Sequence, residues 1–148
     1  MLGTRPILLV EDNQDDQLLM MRALRKHQIT NEVIVVRDGV EALDYMFATG
    51  EYAMRDLRQI PVVVLLDLNL PRLGGHEVLR RLREDPRTAM QIVVVLTTSN
   101  EERDVVTSYK LGANSYIRKP VDFQNFTKMV GELNQYWLEV NVPPPADG

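Results

Sequence analysis

Two unbroken apolar runs, Val62 to Leu66 (VVVLL) and Ile92 to Leu96 (IVVVL), constrain this chain more than any other feature. Consecutive β-branched and leucine side chains leave a strand no polar face to turn towards water. Such strands belong in a parallel sheet covered on both faces. Three further runs, Ile7 to Val10, Val33 to Val36 and the brief Tyr116-Ile117, read as strands of the same sheet. Between them lie amphipathic stretches at helical spacing. Val40, Leu43 and Phe47 form one stripe and Val78, Leu79 and Leu82 a second; Phe123, Phe126, Val130, Leu133 and Trp137 form the longest. Asp122 stands where an N-cap belongs, and Gly50 and Gly112 stand where helices are expected to end. Strands that alternate with helices predict a parallel α/β sheet built from right-handed crossovers.

The chain has 148 residues, the size of one ordinary domain. Elements fill residues 5 to 137, with Glu51 to Pro61 as a longer connection, so the expected division is a domain at 1–137 and a tail at 138–148. Pro143, Pro144 and Pro145 cannot continue a helix and make that tail extended. Eleven residues beyond the domain leave no expectation of an output domain. A formal charge of −4 gives no electrostatic case for nucleic-acid binding. No apolar run approaches the roughly 20 residues of a membrane span, and the N-terminal apolar stretch is too short for a signal peptide. The chain has no cysteine, which excludes disulfides and thiolate chemistry and fits a cytoplasmic location.

In an open parallel sheet, ligands collect outside the carboxyl ends of the strands. Past the first strand come Glu11 and Asp12, and past the third come Asp67 and Asn69. Past the fourth come Thr97, Thr98 and Ser99, and past the fifth Lys119 and Pro120. Alone, each has an ordinary reading: a helix-start acid pair, a capping aspartate, a strand-end hydroxyl, a Lys-Pro turn. Together they gather three carboxylates, a hydroxyl cluster and an ammonium at one edge. Clustered carboxylates repel, and a hard divalent cation such as Mg²⁺ resolves that repulsion. Asp67 could then act as a nucleophile towards phosphorus, with Lys119 and Thr97 stabilising charge on the transferred oxygens.

The segments ILLVEDN, VVLLDLNLPRLGG, IVVVLTTS and GANSYIRKP resemble, in order and spacing, the signatures of response-regulator receivers of two-component signalling. The resemblance implies a flavodoxin-like (βα)5 fold with a five-stranded parallel sheet of order 2-1-3-4-5 and helices on both faces. It also implies that Asp67 accepts a phosphoryl group from a sensor histidine kinase. By the same match Glu11 and Asp12 are the acidic pair, with Asp12 a direct Mg²⁺ ligand and the Asn69 carbonyl another. Thr97 is the switch hydroxyl, Tyr116 the switch aromatic and Lys119 the conformational lysine, with a cis bond to Pro120. Thr98 replaces the small apolar residue of many receivers and stands near the acceptor. The GEY segment at Gly50 to Tyr52, the DLNLP run, LTTS and the Tyr136-Trp137 ending are similar to stand-alone regulators paired with bacterial phytochromes.

Other motifs fail. Asp12 to Asp16 (DNQDD) resembles the start of a calcium loop, but the required glycine is Gln17. No GxxxxGK[ST] or GxGxxG occurs, and His27 and His76 read as isolated and solvent-facing. No turnover of a diffusible substrate is expected. Six of the nine aromatic residues lie in the last forty positions. Tyr109, Tyr116, Phe123, Tyr136, Trp137, Leu138, Val140 and Val142 are therefore candidate contacts for a homodimer through the fourth helix, fifth strand, fifth helix and tail. The signal is expected to leave through that dimer or through a downstream protein. The competing expectation is a pseudo-receiver that binds partners without phosphorylation.

Overall fold

A computed structural model describes residues 5–145. The elements run β1 (Ile7–Val10), α1 (Gln14–Lys26), β2 (Val33–Val36), α2 (Gly39–Phe47), β3 (Val63–Leu66), α3 (Gly75–Glu84), β4 (Val93–Thr97), α4 (Glu102–Lys110), β5 (Ser115–Arg118) and α5 (Phe123–Asn134). All strand pairs are parallel, in the order β2-β1-β3-β4-β5. This is the flavodoxin-like architecture, and it arises because the central strands are buried on both faces. Leu8, Val10, Val64, Leu66, Val93 and Val95 pack against Ala42, Met46, Val78, Leu79 and Leu82 of α2 and α3. The alternate residues Ile7, Leu9, Val63, Leu65, Val94 and Leu96 pack against Met20, Leu24, Phe126, Val130 and Leu133 of α1 and α5. A strand serving two cores has no position for a polar side chain until it leaves the sheet.

Caps set where the helices begin. Asn13 Oδ1 accepts from Asp16 N at 3.0 Å, Asp38 Oδ1 from Glu41 N at 2.8 Å, and Asp122 Oδ1 from Asn125 N at 2.7 Å, the last as expected. Gly112 follows α4 with φ +97°, a left-handed turn that a side chain rarely adopts. At α2 the expectation fails. Ala48 takes the left-handed position, and Gly50 opens a short 3₁₀ turn at Gly50–Tyr52. That turn begins the long connection into β3, which Arg55 pins. Its guanidinium donates to the carbonyls of Tyr45 (2.6 Å), Met46 (3.2 Å) and Gln59 (2.8 Å) and lies over the Tyr45 ring. Arg55→Ala should therefore cost about 2 kcal/mol, read by calorimetry as a Tm lower by roughly 4–8 °C.

Two expectations are corrected here. The tail does not become extended at Leu138: after α5 the chain continues as a wide π-helical turn over Gln135–Val140. Trp137 and Leu138 pack against the α1/α5 core, which favours helix until the prolines forbid it. The extended segment starts at Asn141, and the Arg5 guanidinium donates to the Pro144 carbonyl at 3.2 Å. Nor are the histidines isolated. Exposed His27 still reaches the Thr127 carbonyl at 2.8 Å, joining α1 to α5, and half-buried His76 meets Ser108 Oγ at 2.9 Å. Among the described residues, no helix is long and apolar enough to cross a membrane.

Candidate functional site

Register builds the site. Val10 pairs with Leu66 across β1 and β3, so Glu11 and Asp67 leave the sheet side by side. β5 ends at Arg118, paired with Thr97, and the Lys119 N–H donates to the Thr97 carbonyl at 2.8 Å. The Lys119 chain is thereby aimed back over β4 towards the acids. One oxygen from each of Glu11, Asp12 and Asp67 falls within 4.8 Å of the others. Glu11 is 3% and Asp67 8% exposed, whereas Asp12 faces solvent. Lys119 Nζ hydrogen-bonds Glu11 Oε1, and reaches Asp67 Oδ2 at 3.1 Å and Asp16 Oδ2 at 3.2 Å. Glu11 Oε2 also accepts from Asn13 N at 3.1 Å, and Asp67 Oδ1 accepts from Asn69 N at 3.3 Å.

Close backbone approach holds the acceptor in place. A Cβ added at Gly75 would stand 2.4 Å from the Asp67 carbonyl oxygen, so α3 can start beneath the acceptor only with glycine there. Burial raises the Glu11 carboxyl above the usual carboxylate range, against the opposing pull of Lys119. Burial alone would lower the Lys119 ammonium, but its hydrogen bond to Glu11 and the charge of Asp67 outweigh this and raise it. Lys119 is therefore a fixed positive charge. Glu11, Asp12 and Asp67 present hard oxygen donors, one of them open to solvent, a set that suits a hard divalent cation.

The expected residues divide into two groups. Glu11, Asp12, Asp67, Asn69 and Lys119 meet at the acidic edge. Thr97 is fully buried at the end of β4, and its Oγ1 accepts from Ser99 N at 3.4 Å. Tyr116 is turned inward, its hydroxyl donating to the Ser99 carbonyl at 3.2 Å. Exposed Thr98 lies on the α1/α5 side, in a groove it shares with Asp16, Lys119, Pro120 and Phe123. The expected cis bond before Pro120 is corrected: no cis peptide bond occurs among the described residues. Trans is the lower-energy isomer by about 0.5–1 kcal/mol, and Lys119 reaches its carboxylates with it. Two participants escaped sequence reasoning. Asp16 lies in the first turn of a helix that starts at the acidic edge, and that position was its one visible signal. Ser99 was legible only as part of a hydroxyl cluster.

Comparison with known proteins agrees with this fold. Residues 7–131 match the family model described as the response regulator receiver domain. The chain belongs to the response-regulator receiver family. Among its receiver relatives, the response regulator Rcp1 of Synechocystis sp. is 40% identical over 140 residues, covering 95% of this chain and 93% of Rcp1. The crystal structure of the phosphorylated cyanobacterial phytochrome response regulator RcpA superposes with a TM-score of 0.89 at 39% identity, covering 96% of this chain and 99% of that one. The Mn²⁺-bound form of Rcp1 gives 0.87 at 39% identity, covering 95% and 99%. The receiver fold is thus shared, and this chain carries the acidic cluster Glu11, Asp12 and Asp67 at its sheet edge.

Proposed function

We propose that this receiver takes a phosphoryl group from a sensor histidine kinase of the phytochrome type onto Asp67, with Mg²⁺ as the metal. The observation that carries the reading is the convergence of Lys119 on Glu11 and Asp67 beside Asp12. RcpA supports the phytochrome pairing and the phosphorylated state, since it is described as both. An Asp67 carboxylate oxygen would bond to phosphorus as the donor's phosphorus–nitrogen bond breaks, the electron pair leaving with the imidazole. Glu11, Asp12, Asp67 and the Asn69 carbonyl would hold Mg²⁺, which when bound neutralises charge on the phosphoryl oxygens. Lys119 supplies fixed positive charge to the same oxygens.

Incubation with acetyl phosphate and Mg²⁺ tests this by intact mass. One added phosphoryl group is expected, and a chelator should prevent it. No mass change would favour a phosphorylation-independent interaction module.

The regulator would work in the cytoplasm and signal through a homodimer or a downstream protein. Tyr109 on α4 is 51% exposed, Tyr136 47%, and Val140 and Val142 more so, which supports an association face. Val106 on α4 adds to it, whereas Trp137 and Leu138 are half-buried in their own core. Light scattering should detect dimer at micromolar concentration, its fraction changing on phosphorylation. Monomer alone in both states would refute the dimer.

A further inference from the structure

At the end of the sheet opposite Asp67, where the chain enters β3 and β4, lies a cavity of about 70 Å³. Arg5, Arg87 and Gln91 line it on one side, and Ile60, Pro86 and Met90 give it an apolar wall. Arg5 and Gln91 meet on a single atom. Arg5 Nη2 donates to the Pro61 carbonyl at 3.1 Å, and Gln91 Nε2 donates to the same oxygen at 2.9 Å. The guanidinium and the amide therefore stand side by side.

Each of these two side chains has bonding capacity left over. Arg5 Nε donates to the Ile60 carbonyl at 2.8 Å and Nη1 to the Pro144 carbonyl at 3.2 Å, so each terminal nitrogen keeps one N–H to give. Among the described residues no carboxylate pairs with Arg5, and burial lowers its pKa unopposed. Arg87, by contrast, is already forked onto Asp85 at 3.0 and 2.8 Å. Gln91 is 5% exposed, and its Nε2 also donates to the Ile92 carbonyl at 3.2 Å. Flipping the amide would set its oxygen against two carbonyl oxygens, so its orientation is fixed. Gln91 Oε1 is thereby a buried acceptor with no partner among the described residues. Folded proteins rarely leave such an atom unsatisfied.

We propose that this cavity binds a short hydroxycarboxylate, with its carboxylate on Arg5, its hydroxyl donating to Gln91 Oε1 and its carbons against Ile60, Pro86 and Met90. A guanidinium suits a planar carboxylate, and an unpaired amide oxygen calls for a hydroxyl or amine donor. Other small anions fit less well. An amino acid would bring its ammonium beside the Arg5 charge. Inorganic phosphate would turn charged oxygens towards the apolar wall. A plain carboxylate would leave Gln91 Oε1 unpaired. Asp67 has no part in this site, so the proposal stands apart from the phosphoacceptor reading.

Lactate is the probe, titrated without Mg²⁺ so that the acidic edge offers it no metal. Binding is read from the side-chain amide of Gln91 in ¹⁵N–¹H NMR spectra, a signal identified by its loss in Gln91→Leu. A saturable shift of that amide is expected. Propionate lacks only the hydroxyl and should bind at least about tenfold more weakly, the order expected for one buried hydrogen bond. Lactamide keeps the hydroxyl but not the charge and should not bind. Both comparisons use the unaltered protein, so neither depends on a variant that folds. In Gln91→Leu, followed through the backbone amide of Ile92, lactate should lose its advantage over propionate. The proposal is overturned by the absence of a saturable shift with lactate, as when a water molecule alone satisfies Gln91 Oε1. Equal binding of propionate or lactamide by the unaltered protein, or a lactate preference kept in Gln91→Leu, would overturn it as well.

Discussion

Asp67→Asn is expected to lose phosphoryl uptake from acetyl phosphate by on the order of a hundredfold or more, because an amide oxygen is a poor nucleophile towards phosphorus. The replacement is nearly isosteric. Its amide oxygen can still accept from Lys119 Nζ, which stands 3.1 Å from Asp67 Oδ2. Folding should therefore survive. Removing one of three charges that lie within 4.8 Å relieves repulsion, so in the absence of metal Tm should hold or rise. The same removal should weaken divalent-cation binding, measured by calorimetric titration. Full uptake by Asp67→Asn would transfer the acceptor role to another side chain, and peptide mapping of the phosphoryl group would identify it.

Lys119→Ala is expected to have the largest effect on stability. The Lys119 side chain is 7% exposed and joins Glu11, Asp67 and Asp16 in one cluster. Its loss leaves Glu11 and Asp67 buried without the ammonium. Breaking a buried pair on one side costs roughly 3–5 kcal/mol, less whatever solvent at Asp12 and Asp16 relieves. The pH dependence follows from Glu11, already raised by burial with Lys119 in place. Without the lysine it rises further. A carboxyl whose folded pKa lies above its unfolded value favours the fold least once both states are ionised. The deficit of Lys119→Ala should therefore be greatest near pH 7 and shrink as pH falls through the folded pKa. Mg²⁺ should restore part of it by replacing the lost charge. Urea melts at two pH values, with and without Mg²⁺, measure both effects. Phosphoryl uptake should persist in part, while its coupling to dimerisation is lost. Unchanged stability and unchanged coupling would refute the role given to Lys119.

Much of this was legible because burial on two faces leaves a strong local trace. VVVLL and IVVVL could hardly be anything but inner strands, so Asp67, the first polar residue past β3, had to emerge at the sheet edge. Glu11 and Lys119 followed by the same logic from β1 and β5. Tyr116 was legible as an aromatic residue on β5 but not in its orientation, since an edge strand leaves it free to face either the solvent or the loop. Trp137 belonged visibly to the last helical stripe. Yet the chain stays helical to Val140, because Trp137 and Leu138 find core to pack against.

By itself the sequence determined the parallel α/β architecture, the edge at which Asp67 stands, and the residue types that surround it. Periodicity and the position of the first polar residue after each strand are local properties, and they survive any rigid packing of the helices. The tertiary structure alone decided that Asp16 shares Lys119. It also decided that Ser99 joins Thr97 and Tyr116. Those contacts depend on the angle at which α1 and α4 leave the sheet. That angle is set by how the two cores fill, which no short window of residues encodes. Asp67 thus has its place from the pattern of one strand, and its electrostatic surroundings from the packing of the whole domain.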